Sequence, residues 1–317
     1  MLIKDPQVRS LTQINIEDML TSLGLENLRA GRNLVEFLCT YPARRFAHQV
    51  IDYDSQVGEA GLQAAGRQMI DRMAGGLDIC GQENIPPSGP LLFASNHPGM
   101  TDTMALFASI PRPDLRVVAA RRPFLEALPH TSRHLIFVDE VASQRMSVVR
   151  LTTQHLRAGG AVLTFPAGQI EPDPACMPGA SASLQQWSTS LAVFARLVPG
   201  LVIVPVIVSG VIWPAALHHP LTHLRRQAQD RERLAATLQI AAQTLLGNRP
   251  IAVRVSFGPA LQAAQLPEDS AGLVQAVTFQ AQHLIEHSAS PTIERRLGRQ
   301  VAGQAAGLSA APQQGEA

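Results

Sequence analysis

Residues 197–217 read Leu-Val-Pro-Gly-Leu-Val-Ile-Val-Pro-Val-Ile-Val-Ser-Gly-Val-Ile-Trp-Pro-Ala-Ala-Leu and contain no charged side chain. A stretch of that length is enough to cross a bilayer as a helix. Its punctuation argues otherwise. Pro199, Gly200, Pro205, Gly210 and Pro214 interrupt it, and its centre, Leu201 to Val204 and then Val206 to Val208, is rich in β-branched residues. A continuous apolar run of this kind, bounded by Pro and Gly, is the pattern of a strand buried on both faces. Such strands belong to sheets covered by helices on both sides.

The flanking sequence supports that fold. Short apolar runs at 77–80, 90–95, 115–120, 135–138, 161–165, 201–209 and 251–257 predict strands. Amphipathic segments at 102–110, 143–158, 181–197, 221–246 and 269–287 predict helices between them. Alternation of strand and helix predicts an α/β fold with a mostly parallel sheet. Residues 1–76 contain no strand-like run and read as an N-terminal helical region. A helix starts near Asn15 and Asp18, a second runs from Leu28 and stops before Pro42, and two more cover Arg45 to Ile51 and Val57 to Met73. The division is therefore 1–76 helical, 77–287 an α/β domain, and 288–317 an Ala-, Gly- and Gln-rich flexible tail.

Composition removes several chemistries. Of 26 basic residues only Lys4 is a lysine. A P-loop, a protein kinase, a pyridoxal-phosphate enzyme and a Schiff-base aldolase each need a placed lysine. The net charge of +1 argues against nucleic-acid binding. Cys39, Cys80 and Cys176 lie far apart and form neither a disulfide framework nor a zinc module. The opening residues carry Asp5 and Pro6 where a signal peptide needs an apolar core, so none is expected.

The chemistry concentrates after the strand at 90–95, in Ser95-Asn96-His97-Pro98-Gly99-Met100-Thr101-Asp102. A Pro-Gly turn between His97 and Asp102 lets the carboxylate fold back onto one imidazole nitrogen, leaving the other as a general base. The competing reading makes Asp102 a helix cap and His97 an incidental turn residue. His130 with His134, and His219 with His223, have helical metal-ligand spacing but lack a neighbouring Glu, and no metal site is expected. Ser181 lies in an incomplete nucleophile elbow and reads more simply as a helix cap.

Four motifs in order, Gly81-Gln82-Glu83-Asn84-Ile85-Pro86, Asn96 to Asp102, Phe165 to Glu171, and Val204-Pro205-Val206, resemble the phospholipid/glycerol acyltransferase family that includes the lysophosphatidate acyltransferases. The resemblance covers about 77–260. It implies that 77–287 is a catalytic domain moving an acyl group from acyl-CoA or acyl-carrier protein to a glycerolipid hydroxyl, with no bound cofactor. His97 would be the general base and Asp102 its orienting group. Phe165, Pro166, Ala167, Gly168, Gln169 and Glu171 would bind the acceptor.

Two departures bear on that acceptor. The family's Glu in the Pro-x-Gly turn is Ala167 here, and the Arg that follows is replaced in Gln169-Ile170-Glu171. The family's Asp-Arg pair is Asp139-Glu140. Glu at these places would repel a phosphate that arginine grips, although Glu171 is also placed to restore the missing carboxylate. Arg121 and Arg122 are the alternative phosphate-binding candidates. The expected partners are a membrane lipid acceptor, the acyl donor and a membrane surface, with the protein peripheral or monotopic on the cytoplasmic face. Arg29, Arg32, Arg44 and Arg45 around Leu34, Phe37, Leu38 and Phe46 suit a membrane interface, or else a helical cap on the catalytic domain. The alternative functions are a catalytically silent lipid- or carrier-binding homologue and a serine lipid esterase using Ser181 or Ser209.

Overall fold

The computed structural model describes residues 5–138 and 145–288. Asp139-Glu140 and the tail beyond Ser288 therefore lie outside the described residues. Helix α1 (Pro6–Leu23) begins earlier than the sequence reading places it. Asp5 accepts the Gln7 N–H at 2.8 Å, and Pro6 occupies the first turn, where its missing N–H costs nothing. Asn15 sits mid-helix, and its amide donates to the Ala43 carbonyl at 3.1 Å, tying α1 to its neighbour.

That neighbour, α2 (Arg32–Met73), runs through Pro42 and bends at Gly61, where φ is 82°. The expected stop before Pro42 does not occur. Proline costs a helix one hydrogen bond, to the Leu38 carbonyl, and Leu38 is 65% exposed, so water can serve that carbonyl. Cys39, Ala43, Ala47 and Val50 are buried on the opposite face and hold the helix together across the proline.

The rest is a sheet with helices on both faces. Strands β1 (Gly76–Cys80), β2 (Leu91–Ser95), β3 (Arg116–Ala120), β4 (Leu135–Val138), β5 (Ala161–Thr164), β6 (Val202–Ser209), β7 (Ala252–Phe257) and β8 (Leu261–Gln262) form one sheet in the order β1-β7-β6-β2-β5-β3-β4. From β6 to β4 every pairing is parallel; β7 and β8 run antiparallel along the far side of β6. Pro205 has no N–H to give, and β7 and β8 separate opposite it, where Gly258 donates to the Pro205 carbonyl at 2.8 Å. A Cβ at Gly258 would come within 2.8 Å of the Pro205 ring, so the Val-Pro-Val motif is matched by a glycine across the ladder. Interleaved helices are α3 (Met100–Ser109), α4 (Pro123–Glu126), α5 (Pro129–Ser132), α6 (Arg145–Arg157), α7 (Ala180–Ser183), α8 (Ser190–Leu197), α9 (Pro214–Leu217), α10 (Ala228–Leu246) and α11 (Ser270–Ser288).

All of β2, β5 and β6 is buried, which is why their sequences are apolar without alternation. The faces still alternate. Leu91, Phe93, Leu163, Val204 and Val206 pack toward α2 and α3, whereas Leu92, Val162, Ile203 and Ile207 pack on Trp187, Phe194, Leu273 and Val277. No helix among the described residues is long and apolar enough to cross a membrane. The run at 197–217 is a core strand with its flanking turns.

Helix α2 crosses α3 at Gly66, where an added Cβ would lie 2.8 Å from the Ala108 nitrogen and from Phe107 Cβ. At Gly76 a Cβ would meet nothing within 4 Å. Gly66→Val is expected to lower unfolding free energy in urea by about 1–3 kcal/mol, while Gly76→Ala stays close to wild type. Equal midpoints for the two variants would show that the helices do not approach this closely.

Candidate active site

Ligand sites in open α/β sheets form beyond the carboxyl ends of the parallel strands. Here three such ends converge. The loop after β2 carries Asn96 and His97, the loop after β5 carries Phe165 to Asp173, and the loop after β6 carries Gly210 to Trp213.

Asn96 fixes the first loop to its neighbour strand. Its amide donates to the Val208 carbonyl at 2.9 Å and accepts the Val208 N–H at 2.7 Å, extending the β2–β6 ladder by one side chain. The next residue, His97, leaves the sheet with a side chain 27% exposed. Asp102, at the third position of α3, is fully buried. One of its oxygens accepts from His97 Nδ1 at 2.8 Å and from the Gly99 N–H at 2.9 Å; the other accepts the Thr103 hydroxyl at 2.9 Å. The two readings of Asp102 are thus both realised, because one carboxylate caps the helix and holds the imidazole. A carboxylate only accepts, so Nδ1 carries a proton and, in the neutral ring, Nε2 presents a lone pair. Nε2 has no hydrogen-bond partner among the described residues. The Phe165 ring stacks on the imidazole with centroids 4.3 Å apart.

Burial draws the His97 imidazole toward the neutral form. The charge and hydrogen bond of Asp102, helped by the charge of Glu171, outweigh it and leave the pKa above the ordinary 6.5. Glu171 stands behind the histidine. Its N–H donates to the His97 carbonyl at 2.9 Å, and its carboxylate accepts the His97 N–H at 3.1 Å. The other carboxylate oxygen accepts Ser183 Oγ at 3.0 Å and Trp187 Nε1 at 3.1 Å. Burial pushes the Glu171 carboxyl up, against the pull of these donors. Only 2% exposed and with its oxygens occupied, Glu171 clamps the histidine backbone.

Asp173, two residues on, was not singled out from the sequence. It is fully buried and accepts four backbone N–H groups, from Ala175, Gly210, Val211 and Ile212, at 2.8–3.0 Å. It ties the loop after β5 to the loop after β6. The available signal was Glu171-Pro172-Asp173-Pro174, two carboxylates held stiff by prolines in a chain with only 16% charged residues.

The remaining candidates have varied places. Pro166 is buried and its carbonyl accepts the Ser188 N–H; Ala167 packs on the Trp187 side of the sheet; Gly168, at φ 64°, closes the turn onto the Phe165 carbonyl. The Gln169 amide donates to the Gln186 carbonyl oxygen at the surface. Arg121 pairs with Glu126 at 2.6 Å and lies over the Phe137 ring. Arg122 is exposed at the start of α4. Ser181 is exposed, Ser209 is buried at the end of β6, and neither hydrogen-bonds a histidine among the described residues. No group of three metal-ligating side chains forms among the described residues.

Residues 76–209 match the family model described as Acyltransferase. That span contains all four motifs and the paired His97 and Asp102. No curated protein matches the chain. A similar solved structure is the crystal structure of the 1-acyl-sn-glycerophosphate (LPA) acyltransferase PlsC from Thermotoga maritima, 14% identical, covering 90% of this chain and 96% of that one, with a TM-score of 0.46.

Removing the Asp102 charge leaves burial as the largest influence on His97. In an NMR titration of the histidine ring, wild-type His97 is expected to titrate above 6.5, and Asp102→Asn to bring that value down. Unfolded His97 titrates lower than folded His97, so the pairing favours the folded state at acidic pH and ceases to do so as pH rises through the raised value. An unchanged titration in Asp102→Asn would break the proposed pairing.

Proposed function

We propose that this chain, whose residues 76–209 match the acyltransferase family, transfers a fatty acyl group from a thioester donor, acyl-CoA or acyl-carrier protein, to a hydroxyl of a lysolipid acceptor. The observation that carries the reading is the 2.8 Å bond between His97 Nδ1 and a buried carboxylate, with Nε2 unpartnered among the described residues at the carboxyl edge of the sheet. In this mechanism Nε2 takes the acceptor's hydroxyl proton as its oxygen attacks the thioester carbonyl. Asp102 stabilises the imidazolium that forms. Collapse of the tetrahedral intermediate breaks the C–S bond, and the imidazolium returns the proton to the departing thiolate. The products are an ester and a free thiol, and no acyl-enzyme is needed.

The acceptor reading rests on charge. Glu171 is occupied behind His97, so it does not present its carboxylate to a phosphate in the way the sequence suggested. Arg121 is committed to Glu126, which leaves Arg122 as the candidate partner for an acidic headgroup, of the 1-acylglycerol-3-phosphate type or a related lysolipid.

Access to such a lipid is supported by α2. Leu34, Phe37, Leu38 and Tyr41 follow helical spacing on one face and are 64–75% exposed. Arg29 and Arg45, both exposed, flank them. An apolar helix face bordered by arginine suits the headgroup boundary of an anionic membrane, and the function proposed requires peripheral attachment there.

His97→Ala is expected to cut transfer of a labelled acyl group by about 10²–10⁴-fold, and wild-type activity should rise with pH through the raised His97 pKa. Arg122→Gln is expected to raise KM for lysophosphatidate more than for an uncharged acceptor. A His97→Ala variant as active as wild type ends the proposal. Phe37→Ser with Leu38→Ser should abolish flotation with anionic liposomes at low salt. Retained flotation would move the membrane contact elsewhere.

A further inference from the structure

A second surface lies over the other face of the sheet. Helix α6 joins β4 to β5, and both strands run parallel to β3 between them, so α6 crosses back antiparallel to all three. Its amino end therefore stands at the carboxyl edge, the edge at which His97 leaves the sheet. Val149 and Leu156 root α6 in the apolar cluster of Trp187 and Leu191, on the face opposite α2 and α3.

A groove of about 420 Å³ runs along the outer side of α6 to the end of α8. Met146, Val149, Arg150 and Arg157 line it at helical spacing, and Leu197 contributes from α8. The span from Met146 to Arg157 is roughly 16 Å of helix. The apolar side chains are open to solvent. Met146 is 73% exposed, and Leu197 and Val193, one turn apart on α8, are exposed as well.

Charge in the groove has one sign, and no carboxylate lines it. Arg150 is exposed and makes no hydrogen bond or ion pair among the described residues. Arg157 is also exposed, and its Nε donates to the Leu197 carbonyl at 2.8 Å, fixing the stem of the side chain. Two helical turns separate these arginines, so they share one face of α6 with their Cα atoms roughly 10 Å apart.

That spacing selects the partner. The phosphates of a CoA molecule would call for arginines that converge on them. Charges two turns apart along an apolar groove instead match carboxylates two turns apart on another amphipathic helix. Methionine and arginine are also the side chains that protein interfaces favour. Of the two thioester donors in the reading above, only the carrier protein has a helix to set there. We propose that the α6–α8 groove docks an acidic amphipathic helix of the acyl-carrier protein, whose thioester-bearing arm then enters from the amino end of α6, on the catalytic edge. The inference rests on the acyl-transfer reading for the identity of that partner.

The test uses the full chain with three probes: fluorescently labelled holo-acyl-carrier protein, palmitoyl-acyl-carrier protein and palmitoyl-CoA. Met146 and Arg150 have no hydrogen bond or ion pair to lose among the described residues, so Met146→Asp and Arg150→Glu change the surface and spare the fold. Fluorescence anisotropy is expected to show holo-carrier binding that falls with added salt in wild type and is weakened about tenfold in each variant. In turnover, KM for the palmitoyl-carrier should rise by a similar factor, while KM for palmitoyl-CoA keeps its wild-type value. Unaltered carrier binding in either variant, or an equal rise in KM for both donors, overturns the proposal. Unaltered carrier binding with liposome flotation lost from Arg150→Glu would assign the groove to a lipid surface instead. No carrier binding by wild type, beside His97-dependent transfer from palmitoyl-CoA, overturns the docking and leaves the acyl-transfer reading standing. Groove-dependent carrier binding with no turnover from either donor sinks that reading, and with it the carrier's role as donor.

Discussion

The site depends on one carboxylate serving two masters. Asp102 lies at the amino end of α3, where helix N–H groups and the helix dipole favour negative charge. The Gly99 N–H and His97 Nδ1 reach the same oxygen, at 2.9 and 2.8 Å. A fully buried carboxylate needs such donors, because an unpaired buried charge costs several kcal/mol. The helix therefore makes the charge tolerable, and the charge fixes the imidazole tautomer. The Pro98-Gly99 turn brings the two together across five residues.

Around that pair the structure places a second layer of carboxylates with a mechanical task. Glu171 exchanges hydrogen bonds with the His97 backbone, and Asp173 gathers four N–H groups from two loops. Both are almost fully buried. Together with Asn96 they lock the loops after β2, β5 and β6 into one body. The Ala167 departure from the family pattern removes a carboxylate from the Pro-x-Gly turn, and Glu171 supplies one to the histidine from further along the loop. It acts on the backbone and on the electrostatics of His97.

The N-terminal helices join this body through side chains rather than strands. Asn15 binds the Ala43 carbonyl, Gly66 admits α3 against α2, and Asp54 accepts both N–H groups at the start of α5 together with the Thr131 hydroxyl. One stretch of α2 consequently presents apolar residues to solvent at 34–41, while Ala43, Ala47 and Val50 beyond it are buried. A helix that stopped before Pro42 would separate those surfaces.

Sequence alone determined the buried strands and marked His97 and Asp102 as a candidate pair. Residues such as Val202 to Val208 are apolar without alternation because both faces of β6 are covered, and that pattern is local and one-dimensional. His97 and Asp102 were legible because five residues across a Pro-Gly turn leave few geometries. What tertiary structure alone decided are matters of long-range contact. Helix α2 continues past Pro42 because its opposite face is buried, which no propensity records. Glu171 directs its oxygens to Ser183, Trp187 and the His97 N–H, partners that only the folded loops bring to it. Asp173 gains its importance from N–H groups 37–39 residues away.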